Sequence, residues 1–131
     1  MKKTLKHHGN HIFSDLVWDV KENINNVLFS YAVFDIMKKS LKNTTMKNVH
    51  EKLVVFDGSV SPPGFTSVIL IDESHITSHC YSDRGLLAID IFTCGETEVE
   101  PIMNYIVYEI KKIYPTLECM YQKTHKRFHY K

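Results

Sequence analysis

The stretch Thr66-Ser67-Val68-Ile69-Leu70-Ile71-Asp72, running straight into Glu73-Ser74-His75, decides the fold. Four consecutive aliphatic residues, preceded by the turn-forming Pro62-Pro63-Gly64, are too few for a helix and read as a buried strand. Leu53-Val54-Val55-Phe56 is a run of the same kind, so Val49 to Phe56 is predicted as the preceding strand, closed by Asp57-Gly58-Ser59. Neither run approaches the roughly 20 apolar residues that span a bilayer. Downstream, Leu86 to Phe92 alternates loosely and is predicted as a further strand, antiparallel to 66–72.

Outward from this centre, His11 to Trp18 is short, aromatic and β-branched, and reads as a first strand. Between Glu22 and Lys42, Ile24, Val27, Leu28, Tyr31, Phe34 and Leu41 recur at three- and four-residue steps, which predicts an amphipathic helix with those residues buried. Asn43-Thr44-Thr45 ends it. Glu96, Glu98 and Glu100 ahead of Pro101 open a second helix, because acids and proline both suit a helix N-terminus. It runs to about Tyr114 and is expected to bury Ile102, Tyr105, Ile106, Ile110 and Ile113, with Thr116 to Gln122 as a last strand. The order β-α-β, then β-β-α-β, implies an α+β two-layer sandwich: an antiparallel sheet with two helices on one face, built from two β-α-β halves. One helical layer covers one face only, so the expectation is a homodimer packed sheet to sheet.

The chain has 131 residues, 44% of them hydrophobic, which suits one domain spanning 1–131. Sixteen Lys+Arg against fifteen Asp+Glu leave a formal charge of +1, so no global field marks a dedicated nucleic-acid or membrane-surface binder. The basic start, Met1 to His8, precedes no apolar stretch, and Cys80, Cys94 and Cys119 form no CxxC pair; both point to a cytoplasmic protein. His7, His8 and His11 read as a solvated N-terminal cluster. The basic tail from Lys123 to Lys131 reads as a strand edge or frayed end, with no nucleic-acid or membrane partner expected.

Asp72-Glu73-Ser74-His75-Ile76-Thr77-Ser78-His79-Cys80 packs acids, hydroxyls, imidazoles and a thiol into one short segment. Ser74 lacks the Gly-x-Ser-x-Gly elbow of a serine hydrolase. A metal site from His75, His79 and Cys80 or Cys94 matches no compact zinc spacing, so no metal is expected. Taken singly, Cys94 reads as a small core residue, His79 as a structural histidine and Ser74 as a turn residue.

Together they resemble a family. Glu73-Ser74-His75, then His79, then Ile89-Asp90-Ile91-Phe92-Thr93-Cys94-Gly95, is similar to the signature of the prokaryotic S-adenosylmethionine decarboxylases, and the likeness extends to Gly9-Asn10-His11-Ile12 and Pro62-x-Gly64. The resemblance implies a self-processing decarboxylase of polyamine biosynthesis that makes its own pyruvoyl cofactor. Ser74 Oγ would attack the Glu73 carbonyl, and elimination would leave fragments 1–73 and 74–131, the second starting with pyruvoyl. A ketone beside an amide forms a Schiff base with a substrate amine and accepts the electrons released with carbon dioxide. The resemblance assigns His79 as the processing base, Cys94 as the general acid that returns a proton to the α-carbon, and Thr66 as the hydroxyl that supports processing.

The departures fall on the substrate side. Where the family continues its histidine with Thr-Trp-Pro-Glu, this chain has Cys80-Tyr81-Ser82-Asp83, and where an adenine-stacking ring is expected it has Val60. Tyr81, Phe65, Asp83 and Asp15 are the substrate-binding candidates, with Phe56 or Phe65 as a replacement ring. The resembled family also includes members that act on arginine or ornithine, so the altered nucleoside pocket favours L-arginine or L-ornithine as substrate, with Asp83 or Asp15 pairing the cationic chain. S-adenosylmethionine is the alternative, and a non-catalytic, unprocessed binding or regulatory homologue is the reading from a different class.

Overall fold

A computed structural model describes residues 6–131; Met1 to Leu5, part of the basic start, lie outside them. Its elements are β1 (Gly9–Val17), α1 (Asn26–Lys39), β2 (Asn48–Phe56), β3 (Gly64–Ile71), β4 (Ser74–Tyr81), β5 (Leu86–Cys94), α2 (Glu100–Ile113) and β6 (Glu118–Arg127). The strands form one antiparallel sheet in the order β2-β3-β4-β5-β1-β6. The α+β class and the antiparallel sheet under two helices are as expected from the sequence. Strand number is not. The segment from Ser74 to Tyr81 is itself a strand, inserted between β3 and β5, so those two run in the same direction instead of antiparallel. Each half therefore has three strands and one helix, β1-α1-β2-β3 and β4-β5-α2-β6. The alternation of β4 is visible once the sheet is known: Ile76, Ser78 and Cys80 are buried, while His75, Thr77, His79 and Tyr81 occupy the other face. Small polar side chains at buried positions concealed it, and Ser78 meets a hydrogen-bond partner in Ser67 across the ladder.

In α1, Asn25 caps the first turn by accepting from Leu28 N–H at 3.1 Å, and Lys38 and Lys39 lie at the negative end of the dipole. The buried stripe is Phe29, Val33, Phe34, Ile36 and Met37. Of the residues expected there, Phe34 and Leu41 are buried, whereas Val27, Leu28 and Tyr31 are 50%, 67% and 62% exposed. Both sides of this helix carry apolar residues, and the larger packed ring set the phase. Phe29 contacts Trp18, Phe65 and Tyr114 at centroid distances of 5.1, 5.7 and 4.8 Å. In α2, Ile102, Met103, Ile106 and Ile110 are buried, while Tyr105 and Ile113 turn outward.

Two contacts fix α1 and β4 against the rest. Asn26 Nδ2 donates to the carbonyls of Phe56 and Gly64, both at 3.1 Å, pinning the first turn of α1 to β2 and β3. A Cβ at position 64 would lie 1.8 Å from the Cys80 carbonyl oxygen, so only glycine lets β3 start that close to β4.

The sheet has two dissimilar faces. Toward the helices it presents Ile12, Leu16, Phe65, Ile69, Ile76, Ile89 and Ile91, all buried. The other face carries His11, Phe13, Thr66, His75, His79, Asp90 and Phe92, and no described element lies over it. His11 is thus not part of a solvated terminal cluster: its Nε2–H donates to Asp90 at 3.1 Å, across the β1–β5 ladder. β6 reaches Arg127, longer than expected, as a fully exposed edge strand.

Candidate active site

β3 and β4 are joined by the two-residue link Asp72-Glu73, with Ile71 and Ser74 paired across it. Ser74 is therefore the first residue of a central strand, and its neighbour on the other side is the end of β5. The Cys94 backbone N–H donates to Ser74 Oγ at 3.3 Å. A cavity of ≈ 340 Å³ opens here, lined by Glu73, Ser74 and Cys94 together with Lys47, Asp72 and Thr97. Ser74, Glu73 before it and Cys94 are thus brought to one place. Its open, polar lining leaves room for a substrate beside the serine.

His79 and Thr66 are brought together elsewhere. They face each other in the β3–β4 register, and Thr66 Oγ1 lies 3.3 Å from His79 Nδ1, within hydrogen-bond reach. Five residues of extended strand separate Ser74 from His79, about 16 Å. Within one chain Thr66 and His79 do not meet the serine.

A second, largely apolar groove adjoins His79, lined by Leu16, Leu86 and Ala88 with Asp15 and Tyr81. Two of the four substrate-binding candidates therefore sit beside the histidine. Asp83 is exposed in the turn after β4, outside that groove. Phe65 is 1% exposed and packed beneath α1, so its ring is core and is not presented to a ligand on the open face. Val60 is 97% exposed, and Phe56 lies beside it in a separate shallow depression. Burial together with the nearby Asp83 pushes the Cys80 thiol up to about 12, which keeps it neutral and inert.

The open face holds a cluster that the residue pattern did not single out. Arg127 Nη1 donates to His11 Nδ1 at 3.5 Å while His11 Nε2–H donates to Asp90. His75 stacks on Phe92 at 5.6 Å, and the Arg127 guanidinium lies 5.2 Å from the same ring. Burial, and then the proximity of His11, holds His75 below the ordinary histidine range, partly offset by Asp90. The available signal was parity: His11 alternates with Ile12, and Asp90 with Ile91, so both fall on the face away from the core.

Comparison with known proteins matches the sequence and the fold to described enzymes. Residues 10–118 match the family described as S-adenosylmethionine decarboxylase. An S-adenosylmethionine decarboxylase proenzyme of Caldicellulosiruptor saccharolyticus is 34% identical over 110 residues, 82% of this chain and 82% of that protein. One of Bacillus velezensis is 29% identical over 75% of this chain and 72% of its own length. The crystal structure of the adenosylmethionine decarboxylase from Aquifex aeolicus VF5 shares the fold, with a TM-score of 0.69, 24% identity and coverage of 93% and 92% of the two chains. On this evidence the protein is a pyruvoyl-dependent carboxy-lyase, whose cofactor is generated from its own chain. It belongs to the S-adenosylmethionine decarboxylase family. The lean toward arginine or ornithine finds no support in these matches, which carry the S-adenosylmethionine name instead.

Proposed function

We propose that the chain cuts itself between Glu73 and Ser74 and then decarboxylates S-adenosylmethionine, and that each working site is assembled from two copies. The observation that carries the reading is the hydroxyl of Ser74 held by the backbone of Cys94 at the mouth of a polar cavity. A serine at the start of a strand, with its oxygen anchored by a backbone N–H, is suited to becoming the cofactor precursor. The processing chemistry balances on this chain's atoms and water. Ser74 Oγ bonds to the Glu73 carbonyl carbon, the Glu73–Ser74 amide bond breaks, and the hydroxyl proton ends on the released nitrogen. Loss of the Ser74 α-proton then breaks the Cβ–Oγ bond, Glu73 leaves as a carboxylate, and water replaces the nitrogen, which departs as ammonia.

The resulting pyruvoyl group supplies an electron sink for the carbanion left by carbon dioxide. Cys94, which lines the same cavity, is the proton donor for that carbon. His79, with Thr66 orienting its ring, is the base for the Ser74 α-proton. Since about 16 Å separates them in one chain, the base comes from a second copy. A two-fold axis lying between two open sheet faces, across the strands, reverses β4 and sets the Ser74 end of one copy over the His79 end of the other. The same packing covers His11, Phe13, Asp90 and Phe92, and adds the groove with Asp15 and Tyr81 to the cavity of Ser74.

Intact-mass spectra followed by carbon dioxide release from S-adenosylmethionine, L-arginine and L-ornithine test the reading. Two fragments divided at Glu73–Ser74 and release from S-adenosylmethionine alone are expected. An intact chain without a reactive carbonyl would mark a non-catalytic homologue, and release from a basic amino acid would overturn the substrate assignment.

A further inference from the structure

Glu73 has a backbone φ of +68°, in the left-handed region that is strained for a residue with a Cβ. Among the described residues one other non-glycine, Phe128, has a positive φ, whereas Gly58, Gly85 and Gly95 supply it elsewhere. The chain therefore places glycine at three left-handed positions and a glutamate at the one whose carbonyl is attacked. The flanks leave the strain no outlet. On one side the Asp72 N–H donates to the Lys47 carbonyl at 3.1 Å, and on the other Ser74 is held by the ladders to Ile71 and Thr93 and by Cys94 N–H. The turn is also of the wrong hand: a two-residue hairpin link with positive φ only at its second residue splays the strands, where the primed turns would match their twist. No hydrogen bond or ion pair to a described residue holds the Glu73 side chain in this conformation.

We infer that Glu73 is a positioning residue that acts through its backbone: its left-handed strain is held in the uncut chain and released as the Glu73–Ser74 bond breaks. The inference rests on the self-cleavage reading. When Ser74 Oγ forms its bond to the Glu73 carbonyl carbon and the amide C–N bond breaks, the link to the Ser74 backbone runs through Oγ and Cβ. The one bond added between the Glu73 carbonyl carbon and the Ser74 Cα frees Glu73 from the span imposed by the paired Ile71 and Ser74, so its φ relaxes. Energy stored in the reactant and absent from the transition state speeds the step.

The test compares first-order cleavage of Glu73→Gly, Glu73→Asn and Glu73→Gln with the parent chain, followed by mass, together with thermal unfolding of the same substitutions on the uncleavable Ser74→Ala chain. Glycine removes the strain, so cleavage slows roughly three- to tenfold while the uncleavable chain melts about 3 °C higher. Asparagine, which tolerates the left-handed region, falls between, and Glu73→Gln, which keeps the strain, recovers a rate within roughly twofold of the parent. A purely structural role would lower stability and rate together. Glycine cleaving as fast as the parent, or failing to stabilise the Ser74→Ala chain, overturns the inference while leaving self-cleavage intact. A parent chain that never cuts removes the self-cleavage reading as well.

Discussion

The two ends of β4 make the most informative comparison in this molecule. At one end Ser74 and Cys94 share a polar cavity, with the serine oxygen anchored by a backbone N–H. At the other, Thr66 and His79 share a hydrogen-bonding contact beside a largely apolar groove. The first end carries the proposed nucleophile and acid without the proposed base, and the second carries that base alone. Thr66 and His79 lie on the open sheet face, whose polar and aromatic residues no described element covers. In the proposed assembly these two ends are the halves of one site, each supplied by a different copy.

Substitutions sort by the end they strike. Ser74→Ala has the largest expected effect: no fragments in the mass spectrum and no carbon dioxide release. Cys94→Ala separates processing from turnover, since the backbone N–H that holds Ser74 Oγ remains. Cleavage continues, while turnover falls by about 10²–10⁴, the usual contribution of a positioned acid. At the far end Thr66→Val removes the hydrogen bond and keeps the methyl. Cleavage slows by about fivefold, in line with one lost hydrogen bond of about 1 kcal/mol, with little change in turnover once cut. Reversing that order, with Cys94→Ala blocking cleavage and Thr66→Val blocking turnover, would show the roles to be exchanged.

The smallest effect concerns the face between the ends. The pKa of His75 is lowered in the folded chain, so the unfolded chain binds that proton more readily and stability falls as pH drops through the unfolded value of about 6.5. His11 and Asp90 face it from β1 and β5 and modulate the shift. Replacing His75 by Phe keeps the stack on Phe92 and flattens the acid limb of a melting-temperature profile. An unchanged profile would mean that His75 does not set it.

What the sequence made legible divides along the same lines. The motif from Glu73 to Cys80 and the strand ending in Cys94 identified the chemistry, because a cofactor made from a residue must leave that residue and its neighbours in the chain. The helix phases were only partly legible. Val27, Leu28 and Tyr31 offer an apolar stripe as continuous as the real one, and the packing of Trp18, Phe65 and Tyr114 around Phe29 decides between them. β4 was hidden because its buried positions include Ser78, whose polarity is satisfied only by Ser67 from the neighbouring strand. Phe65 as a ligand ring failed for a related reason: one position along a strand changes the face. The pairing of His11 with Asp90 depends on register between strands far apart in sequence, which no local pattern contains.

Mixing two disabled chains is the most direct test of the divided site. Ser74→Ala cannot be cut but keeps Thr66 and His79; His79→Ala keeps Ser74 but lacks the base. After co-refolding, intact-mass spectra should show fragments 1–73 and 74–131 from the His79→Ala chain only, and none from either variant alone. Absence of cleavage in the mixture, with both variants folded and associated, would contradict assembly of the site from two copies.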